Sequence, residues 1–332
     1  MTANRHSSQA TRIPVISIEP LFFDDAAAKA GVAHELRTAC EEIGFFYIRD
    51  HGVSDQKIVN IIGAMKEFFR LPMDERMRIA VTPEHHRGYI PIGGRSYGTN
   101  GRTELRDTYK MLTELPDNDP DLLSGKPLHQ RNKWPNGLPG FRDCLLNYYD
   151  DMNLVSDALL RGFALALELD ERHFLPSFRK PITQLSFNHY PPQPSTAPED
   201  QYGIKPHSDT TAFTILWADP IGGLEIKPVG QDWIDAPYID GTFLINIGDM
   251  MARWTNDRFM STPHRVINHT GQERYSIPFF VNPDFDAVVA CLETCTDAQH
   301  PPKYPPQHVG DYMVNYTRNA ASKPKIAAAA VA

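Results

Sequence analysis

From Ile182 onward the chain changes its hydrophobic rhythm. Before that point apolar residues recur every three or four positions; after it they fall in short runs of strand-forming residues broken by Gly and Pro. ITQLSFNHY is followed by a proline-rich loop, KPHSDTTAFTILW, the turn DPIGG, LEIKPV, WIDAPYIDGTFLINIGDMM and a last apolar run over 277–281. Strands this short and this closely spaced hide their apolar faces by closing two sheets on each other. The pattern therefore predicts a double-sheet jelly roll, also called a double-stranded β-helix. The upstream half predicts helices over 24–43, over 54–79 with a break at Pro72, and over 141–168. Helices first and strands later give a mainly β fold with packed helices, α+β in class, with a helical N-terminal region against one side of the barrel.

Within the strand-rich half, His207 and Asp209 lie two apart in KPHSDTTAFTILW. Side chains alternate across a strand, so the imidazole and the carboxylate point to one side while Ser208 points away. His264 stands 57 positions downstream (264 − 207) in a different segment. Two imidazoles and one carboxylate leave further coordination positions open, a donor set suited to non-haem Fe(II) that binds a co-substrate and O2 together. A structural zinc site would be closed by four ligands, usually including cysteine, and neither Cys291 nor Cys295 is near the HSD string. Ten positions after His264 comes Arg274, and two further on Ser276, which share a face if the segment is extended. A guanidinium offers a planar fork to a carboxylate and a hydroxyl adds one more hydrogen bond, so the pair reads as a seat for the far end of a dicarboxylate.

Each feature alone is common, but HSD in a strand, His after this interval and Arg-x-Ser ten residues later form a specific combination. It resembles the Fe(II)/2-oxoglutarate oxygenases of the isopenicillin N synthase-like family. IPVISI, GFFYIRDHGV and FFRLP resemble the N-terminal region of that family, so the resemblance reaches both ends of the chain. It implies Fe(II) held by His207, Asp209 and His264, 2-oxoglutarate chelated to the iron with its 5-carboxylate on Arg274 and Ser276, and O2 as the second co-substrate. Asn188 and Tyr190 match the family's Asn-x-Tyr positions, which contact 2-oxoglutarate or substrate; His189 between them points away. His269 is a rival distal ligand, but only His264 places Arg274 at the family's spacing. The implied reaction oxidises an unactivated C–H bond of a small molecule, hydroxylation above all, coupled to decarboxylation of 2-oxoglutarate to succinate and CO2. Relatives of the isopenicillin N synthase and aminocyclopropanecarboxylate oxidase type keep Arg-x-Ser without using 2-oxoglutarate, and an ethylene-forming relative fragments it. A jelly-roll binding protein without metal would keep the fold and lose the chemistry; the intact motif set favours an enzyme.

The glycine-punctuated stretch EHHRGYIPIGGRSYGTNGRTELRDTYKML carries Arg87, Arg95, Arg102 and Arg106. In the family this region lies near the mouth of the active site, so Arg95 or Arg87 is a candidate for binding a substrate carboxylate. The alternative is that these arginines form surface ion pairs with Glu104 and Asp107. Leu185, Phe187, Phe213, Ile215, Leu244 and Phe280 are candidates for the apolar surroundings of the iron, each equally explicable as plain core. The expected organisation is a disordered tail over 1–12, an N-terminal oxygenase-family region over 13–120, a scaffold helix region over 121–180, the jelly-roll core over 181–290, and a turn, helix and tail over 291–332.

Composition narrows the partners. A net charge of −8 with no dense basic run disfavours nucleic acid and anionic membranes. The polar start MTANRHSSQATR and the lack of any apolar run of membrane-spanning length lead to the expectation of a cytoplasmic protein. Cys40, Cys144, Cys291 and Cys295 are irregularly spaced and read as inert thiols rather than a disulfide framework.

Overall fold

The computed structural model describes residues 12–94 and 102–322. Its strands are β1 (Val15–Ser17), β2 (Phe45–Arg49), β3 (Gly88–Ile90), β4 (Asp107–Leu112), β5 (Gln184–Tyr190), β6 (Ile204–His207), β7 (Phe213–Ala218), β8 (Leu224–Ile226), β9 (Ile234–Asp235), β10 (Phe243–Ile247), β11 (His264–Val266), β12 (Arg274–Val281), β13 (Val288–Val289) and β14 (Gln307–His308). The helices are α1 (Ala26–Glu42), α2 (Asp55–Arg70), α3 (Met73–Arg78), α4 (Pro120–Leu123), α5 (Phe141–Ala166), α6 (Asp249–Trp254) and α7 (Val309–Ser322).

The helix boundaries follow local chemistry. Asp25 caps α1 by accepting from the Ala28 N–H at 3.0 Å, and Ser54 caps α2 by accepting from the Lys57 N–H. Pro72 has no N–H to continue α2, and it stands at the N-cap of α3. α5 buries Leu145, Tyr148, Tyr149, Met152, Val155, Leu159 and Phe163, the stripe that helical spacing predicts.

A large sheet runs in the order β1-β2-β10-β7-β12-β5-β4-β3, and a smaller one in the order β6-β11-β8-β9. The N-terminal strands β1 to β4 flank the core strands in the large sheet, β2 pairing with β10 and β4 with β5. One apolar cluster joins this sheet to the helices and includes Phe46, Phe163, Phe187, Phe213, Ile215 and Phe279. A second includes Phe45, Tyr47, Tyr190, Leu224, Leu244 and Val266, from both sheets, and fills the space between them. Together these give the expected jelly roll with helices packed on one side.

The six apolar candidates divide between the two readings open to them. Leu185, Phe187, Phe213 and Ile215 belong to the cluster packed against the helices, not to the space between the sheets. The large sheet is buried on both faces, so its strands read as continuous apolar runs and the inward face cannot be picked by hydrophobicity. Leu244 does face inward, and Phe280 has the strand parity of Arg274 and Ser276.

Candidate metal centre

The small sheet brings the two histidines together. β6 and β11 pair antiparallel with His207 directly opposite His264, and the ring centroids lie 4.2 Å apart. β6 ends at His207, so Asp209 sits in the loop beyond it instead of two places along the same strand. The Asp249 N–H at the start of α6 donates to the Asp209 carbonyl at 2.7 Å, which turns the backbone away from the β6–β11 ladder. The carboxylate still arrives: Asp209 Oδ1 lies 3.7 Å from His207 Nε2 and 3.9 Å from His264 Nε2. One ligand atom from each of the three residues lies within 4.8 Å of the others.

Outer contacts leave the correct atoms free. His207 Nδ1 donates to the Lys205 carbonyl at 2.8 Å and His264 Nδ1 to the Thr262 carbonyl at 3.3 Å, which directs each Nε2 lone pair into the cluster. Asp209 Oδ2 accepts from Thr214 Oγ1 at 2.6 Å and Asn246 Nδ2 at 2.9 Å, leaving Oδ1 for a cation. Burial alone would raise the Asp209 carboxyl, but the adjacent His264 and His207 and these two hydrogen bonds outweigh it, and its pKa falls below the usual value. Burial, with His207 beside it, lowers His264 to about 4, so that imidazole is neutral and able to ligate at pH 7. His207 is the accessible member, its side chain 35% exposed against 10% for His264 and 9% for Asp209. Two imidazole nitrogens, one carboxylate oxygen and no thiolate fit Fe(II) with open positions.

The large sheet supplies the second half of the site. β12 and β5 pair antiparallel with Arg274 opposite Tyr190 and Ser276 opposite Asn188. Arg274 is 1% exposed, its guanidinium stacks 4.6 Å over the Tyr190 ring, and Nε donates to the Gly222 carbonyl at 2.6 Å. Its Nη1 is buried without a partner. An orphaned buried donor costs about 1–3 kcal/mol, more when charged, and a carboxylate would satisfy it. Tyr190 Oη and Asn188 Nδ2 lie 3.3 and 3.4 Å from Ser276 Oγ, and Asn188 Oδ1 accepts from Thr108 Oγ1 at 2.9 Å. All four residues matched to the co-substrate thus form one polar cluster, and they fit a dicarboxylate's distal end.

Other sequence candidates fall elsewhere. Arg87 is 2% exposed; its Nη atoms donate to the Leu128 and Thr113 carbonyls and to Asn132 Oδ1, a structural set of contacts, while its Nε is buried without a partner. Burial pushes it down to about 10. Arg95 lies outside the described residues. His269 points to the Gln201 carbonyl and His189 to Asp107, both away from the metal cluster. The four cysteines are free thiols.

Sequence reasoning missed Thr214 as a support of Asp209 and took Arg106 for part of a surface ion pair. Arg106 does pair with Glu104, at 3.4 Å, but the side chains are only 11% and 6% exposed. Glu104 Oε1 also accepts from the Lys205 N–H at 3.0 Å, which ties Arg106 to the strand that carries His207. Thr214 carried a readable signal, a hydroxyl five residues after Asp209; Arg106 carried none.

Comparison with known proteins agrees with this geometry. Residues 13–137 match the family described as non-haem dioxygenase in morphine synthesis N-terminal, and residues 181–283 match the 2OG-Fe(II) oxygenase superfamily. The chain is 34% identical over 329 residues to the 2-oxoglutarate-Fe(II) type oxidoreductase hxnY of Emericella nidulans, covering 96% of this chain and 94% of that protein. It is 32% identical to kihadalactone A synthase of Citrus sinensis, covering 96% and 97% respectively. A Neurospora crassa protein crystallised with alpha-ketoglutarate (2-oxoglutarate) and thymine superposes with a TM-score of 0.84 at 25% identity, covering 94% of this chain and 98% of that one.

Proposed function

The chain belongs to the 2OG-Fe(II) oxygenase superfamily, and from that premise we propose that it hydroxylates an unactivated C–H bond of a small polar molecule, with His207, Asp209 and His264 holding the metal. It is a non-haem Fe(II)- and 2-oxoglutarate-dependent dioxygenase, with O2 as co-substrate. Among the described residues, no helix is long and apolar enough to cross a membrane.

Bound Fe(II) supplies the oxygen chemistry, coupling decarboxylation of 2-oxoglutarate to succinate and CO2 with oxidation of the substrate. The chain's own residues position the reactants. Arg274 Nη1, with Ser276, anchors the 5-carboxylate of 2-oxoglutarate, and Tyr190 fixes the guanidinium from its face. Asn188 bridges that seat to Thr108. Arg106, half-buried and paired with Glu104, whose carboxylate accepts from the Lys205 N–H on the strand of His207, is our candidate beside Arg95 for holding a polar or anionic group of the substrate. The thymine in the Neurospora crassa relative supports a substrate of that size class.

The observation that carries this reading is the pairing of a convergent two-histidine, one-aspartate cluster with a buried, unsatisfied arginine nitrogen in one barrel. The test is succinate release, with and without iron and 2-oxoglutarate, across amino acids, peptides, nucleobases and small aromatic acids. Succinate made only with both cofactors and stimulated by one compound class, with a product heavier by one oxygen, supports it. Product formation without 2-oxoglutarate would move the chain to the oxidase type that resembles aminocyclopropanecarboxylate oxidase.

A further inference from the structure

The metal ligands come from two chain segments, 207–209 and 264, and a single carboxylate joins the first to Ser261, three residues before the second. Asp249 Oδ2 accepts from Ser208 Oγ at 3.1 Å, and Ser208 is the residue between the two ligands of the first segment. Asp249 Oδ1 accepts from Ser261 Oγ at 2.6 Å. Ser261 precedes Thr262, whose carbonyl orients the His264 ring through Nδ1. The Asp249 N–H also donates to the Asp209 carbonyl. We propose that Asp249 is a positioning residue for the iron site, a clamp whose carboxylate fixes the spacing between the segment of His207 and Asp209 and the segment of His264.

Geometry around the clamp supports a dedicated role. Asp249 opens α6 and follows Gly248, where a Cβ would collide with the Thr211 carbonyl oxygen, so the two backbones approach as closely as they can. Asn246, three residues earlier, holds Asp209 Oδ2. The stretch 246–249 therefore touches Asp209 by side chain and by backbone, and reaches the distal histidine's segment through Ser261. A ligand pair fixed only at its own backbone could splay on each side of the β6–β11 ladder, because that ladder has a register shift immediately after His264. The carboxylate ties the two sides together outside the sheet. Losing a direct outer partner of a metal ligand typically weakens the metal about 10–100-fold; the Asp249 carboxylate acts through Ser208 and Ser261, one residue further out, so the lower end of that range is the expected scale.

The inference rests on the iron-site reading above, and the test separates the two. Co(II) affinity and the visible band formed by anaerobic Fe(II) plus 2-oxoglutarate are measured on full-length wild type, Asp249→Ala, Asp249→Asn and the double variant Ser208→Ala/Ser261→Ala, with the Tm of each metal-free protein. Wild type that binds no Co(II) and forms no band overturns the iron-site reading itself. With wild type intact, the expected result is Co(II) binding weakened about 10-fold or more in Asp249→Ala and in the double variant. Asp249→Asn, which retains an acceptor and the side-chain shape, should recover much of it. Metal affinity within two-fold of wild type in both alanine variants, with only the metal-free Tm lowered, would show a merely structural residue and overturn the proposal. The double variant removes only two hydroxyls, so it decides the question if Asp249→Ala does not fold.

Discussion

His207 and His264 face each other as cross-strand partners on β6 and β11, with ring centroids 4.2 Å apart and each Nδ1 donating to the carbonyl two residues before it. This places both Nε2 atoms on the side of Asp209 Oδ1. The ladder, not the loops, sets the distance between the imidazoles. Asp209 then needs only its outer oxygen held, which Thr214 and Asn246 do.

Replacing either histidine by alanine should abolish iron binding and succinate production while the fold persists, with some loss of stability in His264→Ala, whose ring is buried edge-on against Phe45. Isothermal titration with Co(II) and far-UV circular dichroism on His207→Ala and His264→Ala check this; a variant that still binds metal with wild-type affinity would break the assignment.

Thr214→Val and Asn246→Ala should each remove one of the two donors to Asp209 Oδ2 and weaken metal binding by about 10–100-fold. Their effects should be less than additive in the double variant, since both act through one oxygen. Metal titration of the two single variants and the pair decides it, and strict additivity would argue that the two contacts are independent.

Arg274→Lys keeps the charge but loses the planar fork, the contact with Gly222 and the stacking on Tyr190. The Michaelis constant for 2-oxoglutarate should rise about ten-fold or more, by loss of at least one charge-assisted hydrogen bond worth about 1.5–3 kcal/mol. Steady-state succinate assays at varied 2-oxoglutarate check the shift; an unchanged constant would move the carboxylate seat elsewhere.

Arg87→Ala and Arg106→Ala should behave oppositely. Arg87→Ala removes the donor from the Leu128 and Thr113 carbonyls and one of the two donors to Asn132 Oδ1, so the Tm should drop while the substrate's Michaelis constant stays near wild type. Arg106→Ala should raise the Michaelis constant of the prime substrate and leave that of 2-oxoglutarate alone. Thermal melts and two-substrate kinetics distinguish them, and a substrate effect confined to Arg87→Ala would exchange the two roles.

Much of this fold and site is legible in the order of residues. The change of rhythm at Ile182 points to the jelly roll, and the succession of His207, Asp209, His264, Arg274 and Ser276 points to the centre, because ligand chemistry restricts which side chains can stand there. Two things are hidden for physical reasons. Phe187 and Phe213 cannot be told from inward residues, since a sheet covered on both faces shows no alternation. Arg106 cannot be separated from its neighbours because its anchor is the contact between Glu104 and the Lys205 N–H, 101 residues away in sequence. Arg87 gives no local sign of burial either, its partners lying 26 to 45 residues downstream.

The most direct measurement is an anaerobic titration of the metal-free protein with Fe(II) in the presence of 2-oxoglutarate, followed in the visible region. The predicted result is a weak charge-transfer band that saturates at one iron per chain and is lost in His264→Ala. A protein that binds no iron, or a band that survives that substitution unchanged, would contradict it.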